Sequence, residues 1–169
     1  MKPHRAGRDK KALLIGCLAL AGCTAPPVIR PARSIVSADI EALRASLRPG
    51  VSRITGVVLV HAGGFTRYGS FAKISMLPDI PYVRACIRSQ EQSAQACGES
   101  LKPYTRFATA DVQGRFIFTG VGPGHYLLRS DVSWDVSRGK LESIHVWRTA
   151  QADVVVDEGE ESRDVRVVN

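Results

Sequence analysis

Residues 125–136 alternate apolar and polar side chains more regularly than any other part of the chain. The even-numbered positions are Tyr, Leu, Ser, Val, Trp and Val, and the odd-numbered positions include His, Arg, Asp and Ser. A period of two residues is typical of a strand that packs one face on a core and leaves the other in water, as in antiparallel sheets. We therefore predict a long, half-buried strand over residues 125–136.

Other short apolar and β-branched runs predict further strands. They cover residues 52–60, 71–77, 104–110, 115–119, 141–147, 152–156 and 162–168. Turns with glycine, which adopts backbone conformations that other residues avoid, lie at residues 111–114, 122–124, 138–139 and 157–159. Residues 82–95 have mixed helical character and form an excursion from the sheets. This pattern predicts an all-β fold, an antiparallel β-sandwich of about seven strands.

The amino terminus, residues 1–22, is predicted to be a lipoprotein signal peptide. Five basic residues precede an apolar run over residues 12–21. Such a run would reach only ~15 Å as a helix, about half of a hydrocarbon core. It ends in LAGC at residues 20–23, which resembles the lipobox of bacterial lipoproteins, where a diacylglycerol alkylates the cysteine thiol. We therefore expect lipidation at Cys23; an ordinary cleaved signal with a chance cysteine is the alternative.

The lipobox resemblance implies a lipid-anchored protein of the bacterial cell envelope. Thr24 stands where many inner-membrane lipoproteins carry aspartate, so the resemblance favours the outer membrane, facing the periplasm. Residues 23–50 then form a lipidated tether, in which Ser37 caps a short helix over residues 38–48. This helix either packs on the domain or spaces it from the membrane. The single domain is predicted over residues 51–169.

Removal of the signal peptide changes the charge of the chain. Of 23 Lys and Arg residues five lie before Cys23, as does one of 16 Asp and Glu residues, so the net charge falls from +7 to +3. No basic stripe with interleaved aromatic residues remains. The sequence therefore argues against a nucleic-acid partner.

Two cysteines, Cys86 and Cys97, remain after Cys17 leaves with the signal and Cys23 is lipidated. An exported chain is expected to pair them, and the disulfide would close a loop of 12 residues. In the chain-entropy model such a bridge stabilises the fold by ~3 kcal/mol. A metal or redox pair would instead need C-x-x-C spacing or neighbouring histidines, and neither is present.

Two glycine-containing motifs resemble a known family. TADVQGRFIF at residues 109–118 and VGPGHY at residues 121–126 look like the T-D-x-x-G-x-F-x-F…v-p-x-G-x-Y hairpin of carboxypeptidase regulatory-like domains, which are transthyretin-like (prealbumin-like) β-sandwiches. The resemblance covers about residues 52–168. Ala110 stands where the family often has aspartate, so Asp111 is expected to serve the turn. The matching residues are turn formers and core aromatics, so the resemblance implies a fold and little about function.

Enzymes of related sandwich folds use residues that this chain lacks. Intradiol dioxygenases bind iron through two tyrosines and two histidines, and only Tyr126 and His145 match that set, which leaves too few ligands. Hydroxyisourate hydrolases end in a Y-R-G-S tail, whereas this chain ends in RVVN. The sequence contains no G-x-S-x-G nucleophile elbow and no H-E-x-x-H zinc-binding motif. We therefore expect no catalytic residue and no cofactor, with a metal-dependent enzyme of the same fold as a remote alternative.

Two further groups of residues carry metal-ligating side chains. His61, His125 and His145 could converge on a metal, but we interpret them as unrelated surface or turn residues. The acidic residues at 157–161 lack the alternating spacing of a calcium loop, so a solvated hairpin turn is the better interpretation. We expect no metal site.

Two features favour a binding role. The first is a predicted glycine-flanked loop that carries Phe65, Arg67 and Tyr68, which either plug one end of the sandwich or contact a partner. The second is the pair His145 and Trp147, which alternates with aliphatic residues. If those aliphatic residues point inward, Trp147 is exposed and could stack on a sugar or anchor a protein; otherwise both faces are covered.

These observations predict a non-enzymatic cell-envelope lipoprotein whose β-sandwich serves as a structural or protein-interaction module. The alternative is a glycan- or peptidoglycan-binding module that uses exposed aromatic residues. The expected partners are the membrane, through the lipid, and either an envelope protein or a glycan. Because folds of this kind host many functions, the choice between them depends on the site.

Overall fold

The computed structural model describes residues 35–90, 96–138 and 142–169. The strands are β1 (Ser52–Ala62), β2 (Phe65–Tyr68), β3 (Lys73–Pro78), β4 (Arg106–Thr109), β5 (Arg115–Val121), β6 (Gly124–Arg138), β7 (Glu142–Val156) and β8 (Ser162–Val167). The helices are α1 (Ser37–Ala45), α2 (Pro81–Gln90) and α3 (Ala96–Leu101), followed by a 3-10 turn over Lys102–Tyr104. Strands dominate, which confirms the predicted all-β fold.

Several predictions concern residues outside the described ranges. The signal peptide, Cys23 and residues 24–34 of the tether precede residue 35, and Gly139 of one predicted turn falls in a gap. In the ranges that the structure describes, no helix combines the length and the apolar character needed to cross a membrane. The lipid anchor therefore stays a prediction.

The strands form two sheets that share one core. In the first sheet, β1 lies between β5 and β8, and β2 pairs with the last residues of β1. β1 runs antiparallel to β2 and β5 and parallel to β8. The second sheet has the order β4-β3-β6-β7, and each of its pairs is antiparallel. An antiparallel β-sandwich is therefore confirmed, with eight strands in the described chain.

The alternation over residues 125–136 sorts the side chains of β6 between core and surface. Tyr126, Leu128 and Val132 are buried between the sheets, whereas Arg129 and Asp131 lie on the other face. The core also contains Ile54, Val58, Ile74, Met76, Phe116, Phe118, Val154 and Val167. Since each such side chain contributes ~1.5–3 kcal/mol when fully buried, this shared core holds the sheets together.

The turn between β4 and β5 carries the chain from the second sheet to the first. The Asp111 carboxylate accepts the backbone N–H groups of Gln113 and Arg115, each at 2.8 Å. Gly114 follows with a φ of 76°, a left-handed conformation that favours glycine. Asp111 therefore organises this turn, one position after the family's aspartate, as expected.

The turn between β5 and β6 also crosses between the sheets. The buried Tyr126 hydroxyl donates to the Gly122 carbonyl at 2.9 Å and fixes the corner. β5 pairs with β1, whereas β6 pairs with β3 and β7. The motifs over residues 109–126 therefore do not form the hairpin that the resemblance implies. The segment from β7 to β8 crosses between sheets as well, so it is not a hairpin either.

The helices cover part of the outer face of the second sheet, and we call α1, α2 and α3 the helical cover. Their buried side chains form a second cluster with Leu77 of β3: Leu43, Tyr82, Val83, Cys86 and Leu101. Leu77 belongs to this cluster because Met76, its neighbour in the strand, points into the sandwich. α1 thus packs on the domain through Leu43.

α1 differs from its prediction at both ends. Its N-cap is Val36 and not Ser37, because the Asp39 carboxylate accepts the Val36 backbone N–H at 3.2 Å. It ends at Ala45 and not at residue 48, because the following N–H groups make shorter-range bonds that tighten the last turn.

Cys86 is buried in the helical cover and is disulfide-bonded. The side chain of Cys97 lies outside the described part of the chain. The pairing of these two cysteines therefore stays a prediction.

Three of the predicted strands have other bounds in the structure. The strands predicted over residues 141–147 and 152–156 are one strand, β7, because it pairs with β6 along its whole length. The strand predicted over residues 71–77 begins only at Lys73, because Phe71 has a φ of 58°, a left-handed conformation outside the β region of non-glycine residues.

The β6–β7 hairpin extends beyond the rest of its sheet. β3 pairs with β6 only as far as Ser130. We call the outer half of the hairpin, residues 131–138 with residues 142–149, the arm. Most of its described side chains are exposed, including Trp147. One end of the sandwich therefore continues as a two-stranded ribbon.

Candidate functional site

A cleft of about 580 Å³ lies between β2, the segment that follows it and the base of the arm. It is lined by three aromatic side chains and several polar ones, among them Tyr68, Phe71, Trp134, Arg67, Asp131 and Ser133. We call it the aromatic cleft. Its volume falls in the range of small-molecule sites, ~300–1,000 Å³.

The aromatic cleft exists because β2 is a strand and not the predicted loop. Gly63 and Gly64 form a two-residue turn with φ values of 58° and 79°, which glycine adopts without steric cost. The chain then returns along β1, starting with the pair Ala62 and Phe65. β2 thereby forms one wall of the cleft.

β6 forms the opposite wall and presents a strand edge to the cleft. β3 pairs with β6 at Ser130 and no further, so within the described ranges residues 131–134 pair with β7 alone. Backbone N–H and C=O groups along such an edge are available to bind another molecule. The wall therefore offers main-chain as well as side-chain hydrogen bonds.

The aromatic side chains of the cleft are well exposed for their size. Tyr68 is 58% exposed and Phe71 is 67% exposed. Trp134 is half-buried under Arg67, whose guanidinium carbon lies 5.3 Å from the ring centroid. A cation over a tryptophan face at a surface site contributes ~0.5–1 kcal/mol. This contact joins the two walls and orders Arg67.

Phe71 is held in place by backbone interactions. Its φ of 58° is a left-handed conformation that is uncommon for a bulky residue. Its N–H donates to the Asp111 carbonyl at 3.2 Å, and the Ser70 hydroxyl donates to the Val112 carbonyl at 2.7 Å. Strained residues of this kind concentrate at functional sites. The strained backbone here keeps the apolar Phe71 ring exposed at the cleft.

Hydrogen-bonding groups lie between the aromatic rings. The Asp131 carboxylate accepts the Thr149 hydroxyl through Oδ1 at 2.6 Å, and its Oδ2 has no partner in the described chain. Ser133 and Lys73 add a hydroxyl and an ammonium group. Ring faces interleaved with donors and acceptors suit a ligand that has both apolar C–H faces and hydroxyl groups.

A second cleft, of about 400 Å³, lies on the outer face of the second sheet beside the helical cover. Its lining includes Lys73, Phe107, Arg129 and Asp131. The Lys73 ammonium lies 3.8 Å from the Phe107 ring centroid. We call this the sheet-face cleft. Because Lys73 and Asp131 line both clefts, the two are neighbours.

The five residues predicted to bind a partner fall in different places. Arg67 and Tyr68 line the aromatic cleft, whereas Phe65, which is 70% exposed, lies outside its lining. His145 and Trp147 lie on the arm, on the face opposite the tryptophan of the cleft. Trp147 is 62% exposed, so at least the face of the arm that carries it is open to solvent. These five residues therefore do not form one site.

The sequence analysis missed Phe71, Trp134 and Asp131 as cleft residues. Trp134 follows the apolar alternation of a core strand, and Asp131 follows the polar one. Phe71 lies in an apolar run. Local pattern carries no signal that separates these residues from ordinary strand residues, because their neighbours in the cleft come from distant parts of the chain.

Tyr126 and His145, the two residues that match the iron ligands of intradiol dioxygenases, are far apart. Tyr126 is buried and donates to the Gly122 carbonyl, and its burial raises the pKa of the hydroxyl. His145 pairs with Asp135, nine residues along β6 from Tyr126, which at ~3.3 Å per residue is about 30 Å. In the part of the chain that the structure describes, no three His, Cys, Asp or Glu side chains are placed to hold a metal ion.

The acidic turn over residues 157–161 binds a cation of the chain itself. Arg163 donates to the carboxylates of Asp157 and Glu160 at 3.2 and 3.1 Å. Glu160 also accepts the Asp157 backbone N–H at 3.0 Å. These bonds support the interpretation as a solvated turn, although the turn joins two sheets and is not a hairpin.

No family model matches the sequence, and no curated protein matches it. Among solved structures, the chain is similar to a candidate carbohydrate-binding protein from Pseudomonas aeruginosa, with a TM-score of 0.67 and 20% identity, covering 80% of this chain and 100% of that one. It also matches (S)-allantoin synthase, with a TM-score of 0.34 and 9% identity, covering 72% of this chain and 42% of that one. The first likeness shows that the chain shares the fold of that β-sandwich protein.

Proposed function

We propose that this chain is a non-enzymatic envelope lipoprotein whose sandwich binds a glycan in the aromatic cleft. The observation that carries the proposal is the grouping of Tyr68, Phe71 and Trp134 around one cleft. A sugar ring has apolar C–H faces, and burying apolar area contributes ~25 cal/mol per Å². Its hydroxyl groups meet Asp131, Ser133 and the edge of β6. The description of the Pseudomonas neighbour as a candidate carbohydrate-binding protein also supports the proposal.

This proposal reverses the order of the two hypotheses drawn from the sequence. Glycan binding has a cleft with suitable chemistry, whereas a purely structural module would not need exposed aromatic rings around a concave surface. The non-enzymatic part rests on the separation of Tyr126 from His145 and on the hydrogen bond that Tyr126 donates to backbone. We retain membership of the carboxypeptidase regulatory-like domains as part of the proposal.

The test of glycan binding uses the full-length protein in detergent. Binding to an array of envelope and cell-surface oligosaccharides is measured first, and the best ligand is titrated by calorimetry. Tyr68→Ala removes one stacking surface, and we expect a roughly tenfold weaker Kd, or about 1.4 kcal/mol. Absence of binding to every glycan on the array would remove the proposal.

Phe65→Ala is the matched control for Tyr68→Ala. Phe65 lies on the same strand and is also exposed, but it does not line the aromatic cleft. Because both side chains are at the surface, neither substitution should change stability by more than ~0.5 kcal/mol. If Phe65→Ala weakens binding as much as Tyr68→Ala, the ligand is not bound in the aromatic cleft.

Protein contact through the arm is the second candidate function, and Trp147 is the observation that favours it. This side chain is 62% exposed at a shallow depression that also includes His145 and Arg148. Tryptophan and arginine are enriched among residues that anchor protein interfaces. A photoreactive group at position 145 should crosslink a protein in the envelope, and the crosslink should be lost when Trp147→Ala is added.

The lipid anchor and the disulfide belong to the proposal and have direct tests. Mass spectrometry of the protein purified from membranes should find an acylated amino-terminal Cys23, and Cys23→Ser should release the protein from the membrane. Peptide mapping without reducing agent should find Cys86 joined to Cys97. An unmodified mature amino terminus would leave the sandwich without its proposed anchor.

A further inference from the structure

We infer that the glycan bound by this protein is acidic, and that Arg129 and Lys73 bind its carboxylate in the sheet-face cleft. The inference rests on the proposed function, because it extends the ligand from the aromatic cleft into the neighbouring one. The observation behind it is a pair of cations that have no ionic partner among the described residues. Both side chains line a cleft of about 400 Å³.

The register of the second sheet brings the two cations together. Arg129 of β6 lies opposite Ser75 of β3, and Lys73 is two residues from Ser75 on the same face. Such diagonal neighbours across a sheet have Cβ atoms ~7 Å apart, within reach of one ligand group for long side chains. Phe107 lies opposite Ser75 on the other side, so a ring face adjoins the cations.

Neither cation forms an ion pair within the part of the chain that the structure describes. In the described chain, no carboxylate lies within ion-pair distance of Lys73 or Arg129, whereas Arg84 and Arg163 both have such partners. Lys73 instead stands over the Phe107 ring at 3.8 Å. With Asp131 as the one carboxylate among the residues that line the cleft, the lining carries a net single positive charge.

The two clefts together fit a short oligosaccharide. Asp131 and Lys73 line both clefts and lie where they meet. One sugar ring stacks in the aromatic cleft, its hydroxyl groups donate to Asp131, and the next ring lies against Phe107. A carboxylate on that ring then reaches Arg129, whose planar guanidinium can donate two parallel hydrogen bonds to it. A uronic acid carries its carboxylate directly on a ring carbon, and muramic acid carries one on a lactyl group joined to the ring through an ether oxygen.

The test compares a hexamer of galacturonic acid with the same hexamer after its carboxylates have been reduced to alcohols. Calorimetry with the full-length protein in detergent should show the acidic hexamer bound at least about tenfold more tightly at low salt. In Arg129→Gln this preference should disappear while binding of the reduced hexamer stays unchanged. Arg166→Gln removes the same charge from the outer face of the first sheet, outside both clefts, and should keep the preference.

A second comparison separates two sources of the carboxylate. The disaccharide of N-acetylglucosamine and N-acetylmuramic acid is compared with its methyl ester, because peptidoglycan offers the same chemistry as a polyuronide. A preference for the free acid in this comparison alone assigns the ligand to the cell wall. A preference for the acidic hexamer in the first comparison alone assigns it to a polyuronide. In both cases Arg129→Gln should abolish the preference.

The outcomes separate this inference from the proposed function. If the acidic and neutral forms bind equally in both comparisons, or if Arg129→Gln weakens binding of both forms alike, the inference of an acidic ligand is wrong and glycan binding stands. If the preference survives Arg129→Gln, this cleft does not bind the carboxylate, and if it falls equally in Arg129→Gln and Arg166→Gln, overall charge is responsible. Either result overturns the inference. If no glycan binds at all, the proposed function itself fails.

Discussion

The two halves of the β6–β7 hairpin have the same strand pairing and opposite surroundings. In the inner half, β6 residues such as Leu128 face the core and Leu127 is buried on the other side. In the outer half, which is the arm, Val136 and Trp147 lie on opposite faces and both are exposed. The hydrogen-bonded ladder continues through both halves without interruption.

This difference shows that a side chain of the hairpin is buried only where another layer packs on its face of the sheet. The alternation of apolar and polar residues alone does not decide it. The inner half is covered by the first sheet on one face and in part by the helical cover on the other. In the arm only the first residues, such as Val132, still pack on this core, so Trp134, which follows the core pattern and packs at the margin of the core, becomes part of a surface cleft. Residues of one pattern are structural in one half and available to a ligand in the other.

The prediction with the largest expected effect compares the same substitution, valine to alanine, in the two halves of the hairpin. Val154→Ala in the inner half removes two methyl groups from a side chain that is 3% exposed. At ~0.8 kcal/mol per buried carbon, with a cavity added, we expect a loss of about 2 kcal/mol in the free energy of unfolding. Chemical denaturation monitored by tryptophan fluorescence measures it.

Val136→Ala is the matched substitution in the arm. Val136 is 39% exposed, and we expect a change within ~0.5 kcal/mol. Equal losses in the two variants would show that the arm is covered in solution, by a partner or by a second copy of the chain, and would break the comparison.

Much of the fold could be predicted from the sequence because the signals were local. The period of two in residues 125–136 identifies β6, and Asp111 with Gly114 identifies the turn before β5. What failed depends on long-range pairing. Nothing local shows that residues on both sides of the 122–124 turn enter different sheets, or that the chain around Phe65 returns along β1 as a strand.

The candidate site was less predictable than the fold for the same physical reason. Arg67 and Tyr68 could be proposed from their composition, since aromatic and arginine side chains near glycines are common in binding sites. Trp134 could not, because only the end of the β3–β6 pairing at Ser130 exposes its surroundings. The sheet-face cations likewise required the register that sets Arg129 beside Lys73.

The second prediction concerns the corner that anchors the inner half. Tyr126→Phe removes the hydroxyl that donates to the Gly122 carbonyl at 2.9 Å in a buried setting. We expect a loss of about 1 kcal/mol, because a buried carbonyl loses its partner while the ring stays packed. Tyr68→Phe in the exposed cleft is the control and should leave stability unchanged. Equal denaturation midpoints for Tyr126→Phe and the wild type would argue against this corner.

The third prediction follows from the ionisation of the same hydroxyl. Burial raises the pKa of Tyr126, and the positive charge of Arg106 offsets only part of that effect. Above the ordinary tyrosine pKa of ~10, the unfolded chain releases this proton more readily than the folded chain, so the free energy of unfolding falls as pH rises. The stability difference between wild type and Tyr126→Phe should therefore shrink from about pH 9 to about pH 11. A constant difference over that range would show that Tyr126 titrates equally in both states.

The smallest expected effect concerns the attachment of the helical cover to the inner half. Arg84 of α2 donates to Asp79 through Nη2 at 2.7 Å and also to Asp153 of β7 at 2.8 Å. The network raises the pKa of Arg84, mainly through the hydrogen bond to Asp79, but the side chain is 39% exposed, so water screens it. We expect Arg84→Met to cost ~0.5–1 kcal/mol, and Arg148→Met, at an arginine of the arm without a carboxylate partner in the described chain, to cost nothing measurable. High salt should lower the stability cost of Arg84→Met, because it screens the ion pair in the wild type, and should leave Arg148→Met unaffected. Denaturation at low and high ionic strength therefore distinguishes an ion pair that fastens α2 from a general loss of surface charge.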